Sequence, residues 1–258
     1  MGLQNKIALI TGGSGGLGRT LALYFVRAGC NVAITSQNLN NLKLAAQELS
    51  RSGAAVTAWP CDIKQKEQVE RLRDKILQEM GTVQILVNSA GLAKAASFLE
   101  MDDELWRETL EINLTGTYQC CKAFLPGMVA AGWGRIINIA STTAKVAYSH
   151  VAAYTSSKHG VLGLNRALAL ETARLGITVN AICPGYLNTE RTRENAQQMA
   201  QKTAKSTQQI LDLFARSSPQ KRLIEPAEVA NLALLLASES MGGMTGQAIS
   251  IDGGAVMA

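Results

Sequence analysis

Short apolar runs alternate with longer amphipathic stretches along the whole chain. The apolar runs are rich in β-branched residues and have strand length, at 6–11, 31–35, 54–59, 83–88, 134–140, 177–183 and 247–251. The stretches between them have helical periodicity, at about 16–28, 38–52, 65–80, 101–130, 151–175 and 226–238. This alternation predicts an α/β fold in which seven parallel strands form one doubly wound sheet with helices on both faces.

One segment departs from the alternation. Residues 184–222 are polar and helical in composition, and they contain no apolar run of strand length. An extra segment near the carboxyl ends of parallel strands is typical of a cover over a binding cleft, so we expect a small helical substrate lid here. The rest has no repeat, low-complexity tract or linker, which predicts one domain over 1–258.

The composition narrows the class of protein. Of the 258 residues, 47% are apolar and 17% charged, and the longest clean apolar stretch, 232–237, is far too short to span a membrane. The five cysteines are odd in number and lack Cys-x-x-Cys spacing, and the two histidines lack metal-ligand spacing. With no secretory signal visible either, these features predict a cytoplasmic protein that binds neither a metal nor a membrane.

Positive charge is concentrated in the lid segment. Seven basic and three acidic residues lie between 190 and 222, so this segment carries +4 of the chain's net +5. One interpretation is a solvated helical face. The other is a basic surface that attracts an anionic substrate, such as a phosphate-bearing acyl carrier or a coenzyme A thioester. Nucleic acid is not expected, because aromatic residues do not alternate with these charges, and Phe214 is the single one among them.

The first apolar run ends in a glycine-rich turn, Thr11–Gly18, with the sequence T-G-G-S-G-G-L-G. A strand, such a turn and a helix in this order are typical of a Rossmann-type fold, in which backbone amides approach the pyrophosphate of a dinucleotide. Further along the chain, Tyr154 and Lys158 lie four residues apart, which places both on one face of a helix. With Ser141 thirteen residues before the tyrosine, the sequence offers groups that can move a proton at a substrate oxygen.

These motifs together resemble those of the short-chain dehydrogenase/reductase family, over essentially the whole chain. Each motif alone is a weak signal, but their common order along one chain is specific. They are Thr11-Gly12-x-x-x-Gly16-x-Gly18, Asp62, Asn88-Ser89-Ala90-Gly91, Asn113, Ser141, Tyr154 with Lys158, and Pro184-Gly185.

The resemblance implies a role for each position. Tyr154 would be the general acid in reduction and the general base in oxidation, and Ser141 would hydrogen-bond the substrate oxygen. Lys158 would hold the nicotinamide ribose and, with the positive nicotinamide ring, lower the pKa of Tyr154 from about 10. Asn113 would bind a water that continues a proton relay. The implied cofactor-binding residues are Gly12, Ser14, Gly15, Gly16, Leu17, Gly18, Ser36, Gln37, Asp62, Ile63, Asn88, Ala90, Tyr154, Lys158, Leu187 and Thr189.

Cofactor preference depends on the residues that follow the second strand. Ser36 stands where an acidic residue would bind the ribose 2′-hydroxyl of NAD and repel the 2′-phosphate of NADP. However, Gln37 and Gly15 occupy the two positions where relatives that prefer NADP carry a basic residue. Because Ser36 cannot repel the 2′-phosphate as a carboxylate would, we expect NADP(H) as the cofactor, with NAD(H) as the alternative.

The substrate is expected to be a small molecule with a ketone or alcohol group. Stretches around Asn113, Ser141 and Lys158 resemble 3-ketoacyl-thioester and polyketide ketoreductases, and also 3-hydroxybutyrate dehydrogenases. The latter place a polar pair for the substrate carboxylate where this chain has Ala93 and Thr143, which favours an extended substrate bound to coenzyme A or a carrier. The alternatives are an NAD-dependent secondary alcohol or hydroxyacyl-CoA dehydrogenase and a non-catalytic dinucleotide-binding regulator.

A homotetramer is expected from the family resemblance, with two-fold contacts through the helices over 101–130 and 151–175. The second of these helices carries apolar residues beyond its catalytic face: Val161, Leu164, Ala167, Leu168 and Ala169. The alternative is that the sheet of the same chain buries them.

Overall fold

A computed structural model describes residues 2–51, 53, 55–201 and 203–257. Over these residues the chain forms one seven-stranded sheet in the order β3-β2-β1-β4-β5-β6-β7, and every neighbouring pair is parallel. The strands are β1 (Ile7–Thr11), β2 (Asn31–Ser36), β3 (Val56–Pro60), β4 (Ile85–Asn88), β5 (Gly134–Ile139), β6 (Ile177–Pro184) and β7 (Ala248–Ile251). The expected doubly wound fold is confirmed.

Helices cover both faces of this sheet. They are α1 (Gly16–Arg27), α2 (Leu39–Arg51), α3 (Lys66–Glu79), α4 (Asp103–Leu110), α5 (Gly116–Ala131), α6 (Ala152–Thr172), α7 (Glu190–Gln201), α8 (Thr207–Arg216) and α9 (Pro226–Ala237). Successive strand residues point to opposite faces. Accordingly, Ile10 packs with α1, α2 and α9, whereas Leu9 packs in the layer formed by α3, α5 and part of α6.

The sequence-based boundaries hold to within two residues except at two helices. The helix expected over 151–175 ends at Thr172, and a 3₁₀ turn, Ala173–Leu175, follows it. The single helix expected over 101–130 is two helices, α4 and α5, joined by a π-helical turn at Glu111–Thr115. The apolar periodicity continues through this turn, which is why the sequence pattern did not reveal it. Five residues of the predicted elements and domain lie outside the described residues. They are Ser52 at the end of a predicted helix, Ala54 at the start of a predicted strand, Lys202 in the predicted lid, and Met1 and Ala258 at the ends of the predicted domain.

In the lid segment, 184–222, Pro184 is the last residue of β6. The helices of the segment are α7 and α8, and the described residues before, between and after them are not helical. Helices α7 and α8 pack on one another, and an isolated bridge between Leu187 and Ile224 closes the base of the segment. All five cysteines of the chain are free and buried. Among the described helices, none is both long and apolar enough to cross a membrane.

Candidate active site

A cleft of about 810 Å³ opens at the carboxyl edge of the sheet. Its floor is where the strand order reverses, between β1 and β4, which is the usual position of a ligand in a doubly wound sheet. Most residues expected at the site line this cleft together: Gly12, Ser14, Gly15, Gly16, Leu17, Gly18, Ser36, Gln37, Asp62, Ile63, Ala90, Ser141, Tyr154, Lys158, Leu187 and Thr189. Asn88 and Asn113 do not line it.

The glycine turn between β1 and α1 leaves no room for a side chain at Gly12 or Gly18. Gly12 has a φ of +68°, and a Cβ there would lie 2.8 Å from the Cα of Ala90. A Cβ on Gly18 would overlap the carbonyl oxygen of Gly12. A Cβ on Gly16 would lie 3.4 Å from Thr189 of the lid segment. The turn therefore presents backbone N–H groups at the start of α1, as the binding of a diphosphate requires.

Thr11 holds the floor of the cleft together, a role that the sequence analysis did not assign. Its buried Oγ1 accepts hydrogen bonds from the backbone N–H groups of Ser89 and Ala90, both at 3.1 Å. The end of β1 is thus joined to the loop after β4. The only sequence signal was a hydroxyl residue at the end of an otherwise apolar strand.

Helix α6 places Tyr154 and Lys158 one turn apart, facing the cleft. Lys158 is only 4% exposed, and its Nζ donates a 2.8 Å hydrogen bond to the carbonyl oxygen of Ile139 at the end of β5. That Nζ lies 5.7 Å from the centroid of the Tyr154 ring. The side chain of Ser141 acts on the Tyr154 phenol and lowers its pKa, and Ser141 Oγ accepts a hydrogen bond from the N–H of Thr143 at 3.2 Å. Ser141, Tyr154 and Lys158 therefore lie together in the cleft, as expected from the sequence.

Burial has the largest effect on the pKa values of Tyr154 and Lys158. It raises the pKa of Tyr154, and the hydrogen bond from Ser141 and the positive charge of Arg191 oppose this rise. Burial also lowers the pKa of Lys158 from 10.5 to about 8. The net direction for Tyr154 differs from the expectation of a lowered pKa, because in the protein itself the cost of desolvating the phenolate exceeds the effects that favour it.

Asn88 and Asn113 are buried behind the cleft wall. Asn88 Nδ2 donates to Asn138 Oδ1 at 2.9 Å, and Asn138 Nδ2 donates to Asn165 of α6 at 3.1 Å, so these amides connect β4, β5 and α6. Asn88 therefore helps to hold the central strands together. Its side chain does not reach the cleft, because β4 directs it into the protein.

Asn113 lies in the π-helical turn and bridges two elements. Its Oδ1 accepts from Leu92 N at 2.7 Å, and its Nδ2 donates to Leu92 O and to Ser157 Oγ, each at 2.9 Å. Ser157 in turn donates to the carbonyl oxygen of Tyr154 at 2.7 Å. The side chain thus positions α6 relative to the loop after β4, while the relay water at Asn113 stays a prediction.

The far end of the cleft, beyond the glycine turn, is polar, and none of the described residues that line it is basic. The nearby cation, Lys64 Nζ, lies 3.9 Å from Asp62 Oδ2. Gln37 Nε2 donates to Asp62 Oδ2 at 3.2 Å, and Asp62 Oδ1 accepts from the N–H of Lys64 at 3.0 Å. Ser36 Oγ donates to the carbonyl oxygen of Asn38 at 3.3 Å. The Gln37 amide is therefore partly engaged by a carboxylate, a contact that sequence alone did not indicate.

The lid segment contributes a cation that the site prediction missed. Arg191, in the first turn of α7, lines the cleft and donates a 3.1 Å hydrogen bond to the carbonyl oxygen of Gly91. Tyr186, just after the end of β6, stacks on Phe214 of α8 with ring centroids 4.3 Å apart. In the sequence, Arg191 is one of the seven basic residues of the lid segment, and its local pattern does not distinguish it from the others.

The residues of the cleft fit a nicotinamide dinucleotide. The glycine-rich turn at Gly12–Gly18 suits the diphosphate, and polar groups at Gln37 and Asp62 suit the adenosine end. Lys158 and Tyr154 lie at the opposite end, where hydride transfer requires a ribose anchor and a proton donor.

The model of the short chain dehydrogenase family matches residues 6–200. The chain belongs to this family. It is accordingly an oxidoreductase of the kind that interconverts carbonyl and hydroxyl groups, and the expected family membership is confirmed.

Three members of the short chain dehydrogenase family show its range. The chain is similar to the solved structure of an actinorhodin polyketide ketoreductase variant with NADPH, at 34% identity, with 100% of each chain covered and a TM-score of 0.95. It is 35% identical over 98% of each chain to a subunit of (2S)-[(R)-hydroxy(phenyl)methyl]succinyl-CoA dehydrogenase from Thauera aromatica. It is 32% identical to D-beta-hydroxybutyrate dehydrogenase from Rhizobium meliloti, over 97% of this chain and 98% of that one. The expected likeness to polyketide ketoreductases is confirmed.

Proposed function

We propose that the protein is an NADP(H)-dependent reductase of a ketone carried on a 3-ketoacyl thioester or a similar extended substrate. The observation that carries the chemistry is that Ser141, Tyr154 and buried Lys158 line the same cleft as the glycine turn. These groups have the types and positions needed to protonate a carbonyl oxygen while its carbon is reduced.

The chain's own residues manage the proton. Tyr154 gives its phenolic proton to the substrate oxygen, and Ser141 donates a hydrogen bond that orients the carbonyl and stabilises the developing alkoxide. The charge of Lys158 then stabilises the phenolate that remains, because the two groups share one face of α6. A bound nicotinamide dinucleotide supplies the hydride in reduction and accepts it in oxidation.

Two observations support NADP(H). Ser36 puts no carboxylate beside the ribose, and the similar polyketide ketoreductase was solved with NADPH. The contact between Gln37 and Asp62 acts in the opposite direction, since it engages an amide that a 2′-phosphate would use. The second candidate is therefore an NAD-dependent hydroxyacyl-CoA dehydrogenase, which the relative from Thauera aromatica also favours.

Initial rates distinguish these functions. We expect kcat/KM for NADPH to exceed that for NADH, and acetoacetyl-CoA to be a better substrate than a free 3-keto acid or a bulky cyclic ketone. A clear preference for NADH in the oxidation of a hydroxyacyl-CoA would support the second candidate instead.

A Tyr154→Phe variant tests the mechanism itself. It should bind either nucleotide within about twofold of the wild type yet lose roughly a hundredfold or more in kcat, the usual contribution of a general acid. Tyr118→Phe, at an exposed tyrosine of α5, is the matched control and should keep full activity. Reductase activity retained by Tyr154→Phe would refute the assignment.

The assembly we propose is a homotetramer in the cytoplasm. The residues expected to face a partner are only partly available, because Val161 and Ala169 are buried within the protomer. However, Leu170 on α6 is 83% exposed and Tyr118 on α5 is 49% exposed, so both helices still present apolar surface. Light scattering should give four times the 27.5 kDa chain mass, and a monomer mass would refute the tetramer.

A further inference from the structure

The cleft contains few positive charges for a ligand as anionic as a dinucleotide. The turn Thr11–Gly18 contains no basic residue, although it lies where a diphosphate binds in this type of sheet. Of the described residues that line the cleft, only Lys158 and Arg191 are cationic, while Asp62 and Glu108 are anionic. A helix N-terminus supplies only about half a positive charge, so the backbone of the turn leaves much of the diphosphate charge uncompensated.

The first turn of α7 lies next to the glycine turn and the start of α1. Thr189, two residues before Arg191, would be in van der Waals contact with a Cβ on Gly16. The next residue, Glu190, lies 4.0 Å from the guanidinium of Arg19 on α1. The start of α7 is therefore held over the start of α1, where the backbone N–H groups of the glycine turn are exposed.

From this position Arg191 reaches across the cleft. Its Nη1 donates to the carbonyl oxygen of Gly91, and a Cβ on Gly91 would lie 3.7 Å from Lys158 Nζ. Its charge also acts on Tyr154. Within the described part of the chain Arg191 forms no ion pair, so its charge faces the cleft without a carboxylate partner.

We propose that Arg191 binds the diphosphate of the dinucleotide from the lid side, exchanging its hydrogen bond to Gly91 for phosphate oxygens. The guanidinium group presents five N–H donors in a planar fork, which suits paired phosphate oxygens. Nucleotide binding and placement of the lid segment are then coupled, because the residue that contacts the diphosphate belongs to α7. This inference rests on the proposed binding of a dinucleotide and does not depend on whether it is NADP(H) or NAD(H).

The test is a fluorescence titration of NADPH and NADH against wild type, Arg191→Gln and Arg191→Lys. Loss of one charge-assisted hydrogen bond predicts a Kd about tenfold higher for both nucleotides in Arg191→Gln, with partial recovery in Arg191→Lys. The salt dependence of Kd should also become shallower in Arg191→Gln. Arg193→Gln is the matched control, since Arg193 lies in the same turn but donates to Asn188 Oδ1 at 2.7 Å on the exposed side.

Two further probes locate the contact. ADP-ribose, which keeps the diphosphate, should lose affinity in Arg191→Gln as NADPH does, whereas adenosine should bind both proteins equally.

An unchanged Kd for NADPH in Arg191→Gln would refute the proposal. So would an equal loss in Arg193→Gln, or a higher KM for the ketone with unchanged nucleotide affinity, which would assign Arg191 to the substrate. If the wild type itself bound no dinucleotide, the proposed function would fail together with this inference.

Discussion

Lys158 should make the folded protein less stable than a neutral residue would. Its ammonium is 4% exposed and its Nζ has one hydrogen bond, to the carbonyl oxygen of Ile139. A pKa lowered from 10.5 to about 8 corresponds to a cost of about 3 kcal/mol for carrying the charge in the folded state. Replacing the side chain by methionine removes this cost and loses one hydrogen bond worth about 1 kcal/mol. We therefore expect Lys158→Met to raise the free energy of unfolding at pH 7 by about 2 kcal/mol while abolishing turnover.

The pH dependence of stability provides an independent measure of the same cost. Below about pH 8 the lysine is protonated in the folded and unfolded states, and the full cost is present. Between about pH 8 and 10.5 the unfolded chain holds a proton that the folded protein has released, so stability rises with pH by about 1.4 kcal/mol per pH unit. Buried thiols with raised pKa values, such as Cys30 at about 11, have the opposite effect. They are present in wild type and variant alike, so the difference between the two proteins isolates Lys158.

The assay is urea unfolding followed by circular dichroism, at one fixed protein concentration because of the expected oligomer. Lys122→Met, at an exposed lysine of α5, is the control and should change stability by less than about 0.5 kcal/mol. A Lys158→Met variant no more stable than wild type at pH 7 would refute the reasoning. The same holds if wild-type stability failed to rise relative to the variant between pH 8 and 9.5.

Three further outcomes are expected. Gly18→Ala should abolish NADPH binding in a titration, because its Cβ overlaps the carbonyl oxygen of Gly12; wild-type affinity would contradict the described turn. Thr11→Val should lower the free energy of unfolding by about 2–4 kcal/mol, since two backbone N–H groups lose their acceptor, whereas Thr11→Ser should cost about 1 kcal/mol or less. Because burial raises the pKa of Tyr154, the rate of alcohol oxidation should increase from pH 7 to 10, and a flat profile would argue against this phenol as the base.

The sequence was sufficient for the parts of the site that depend on local patterns. The spacing of Tyr154 and Lys158 is a property of any helix, and the glycine turn follows directly from the end of β1. These residues therefore line the cleft as expected. The parallel arrangement of the strands also follows from the alternation of strands and helices.

Contacts between distant parts of the chain could not be predicted in this way. The side chain of Asn88 is directed away from the cleft because its partner, Asn138, lies fifty residues along the chain in the neighbouring strand. Arg191 was part of a basic segment, and nothing in its local pattern shows that its side chain crosses to Gly91. Likewise, the division of α6 into buried Val161 and exposed Leu170 depends on packing that a single helical pattern does not specify.

The lid segment and the residues that transfer the proton lie in separate parts of the molecule. Ser141, Tyr154 and Lys158 sit on elements anchored in the sheet, whereas α7 and α8 pack largely on each other. Substitutions in these two outer helices, at positions other than Arg191, can therefore reshape the entrance without disturbing proton transfer. A protein built this way can acquire new substrates through a small, replaceable region while its reaction stays the same.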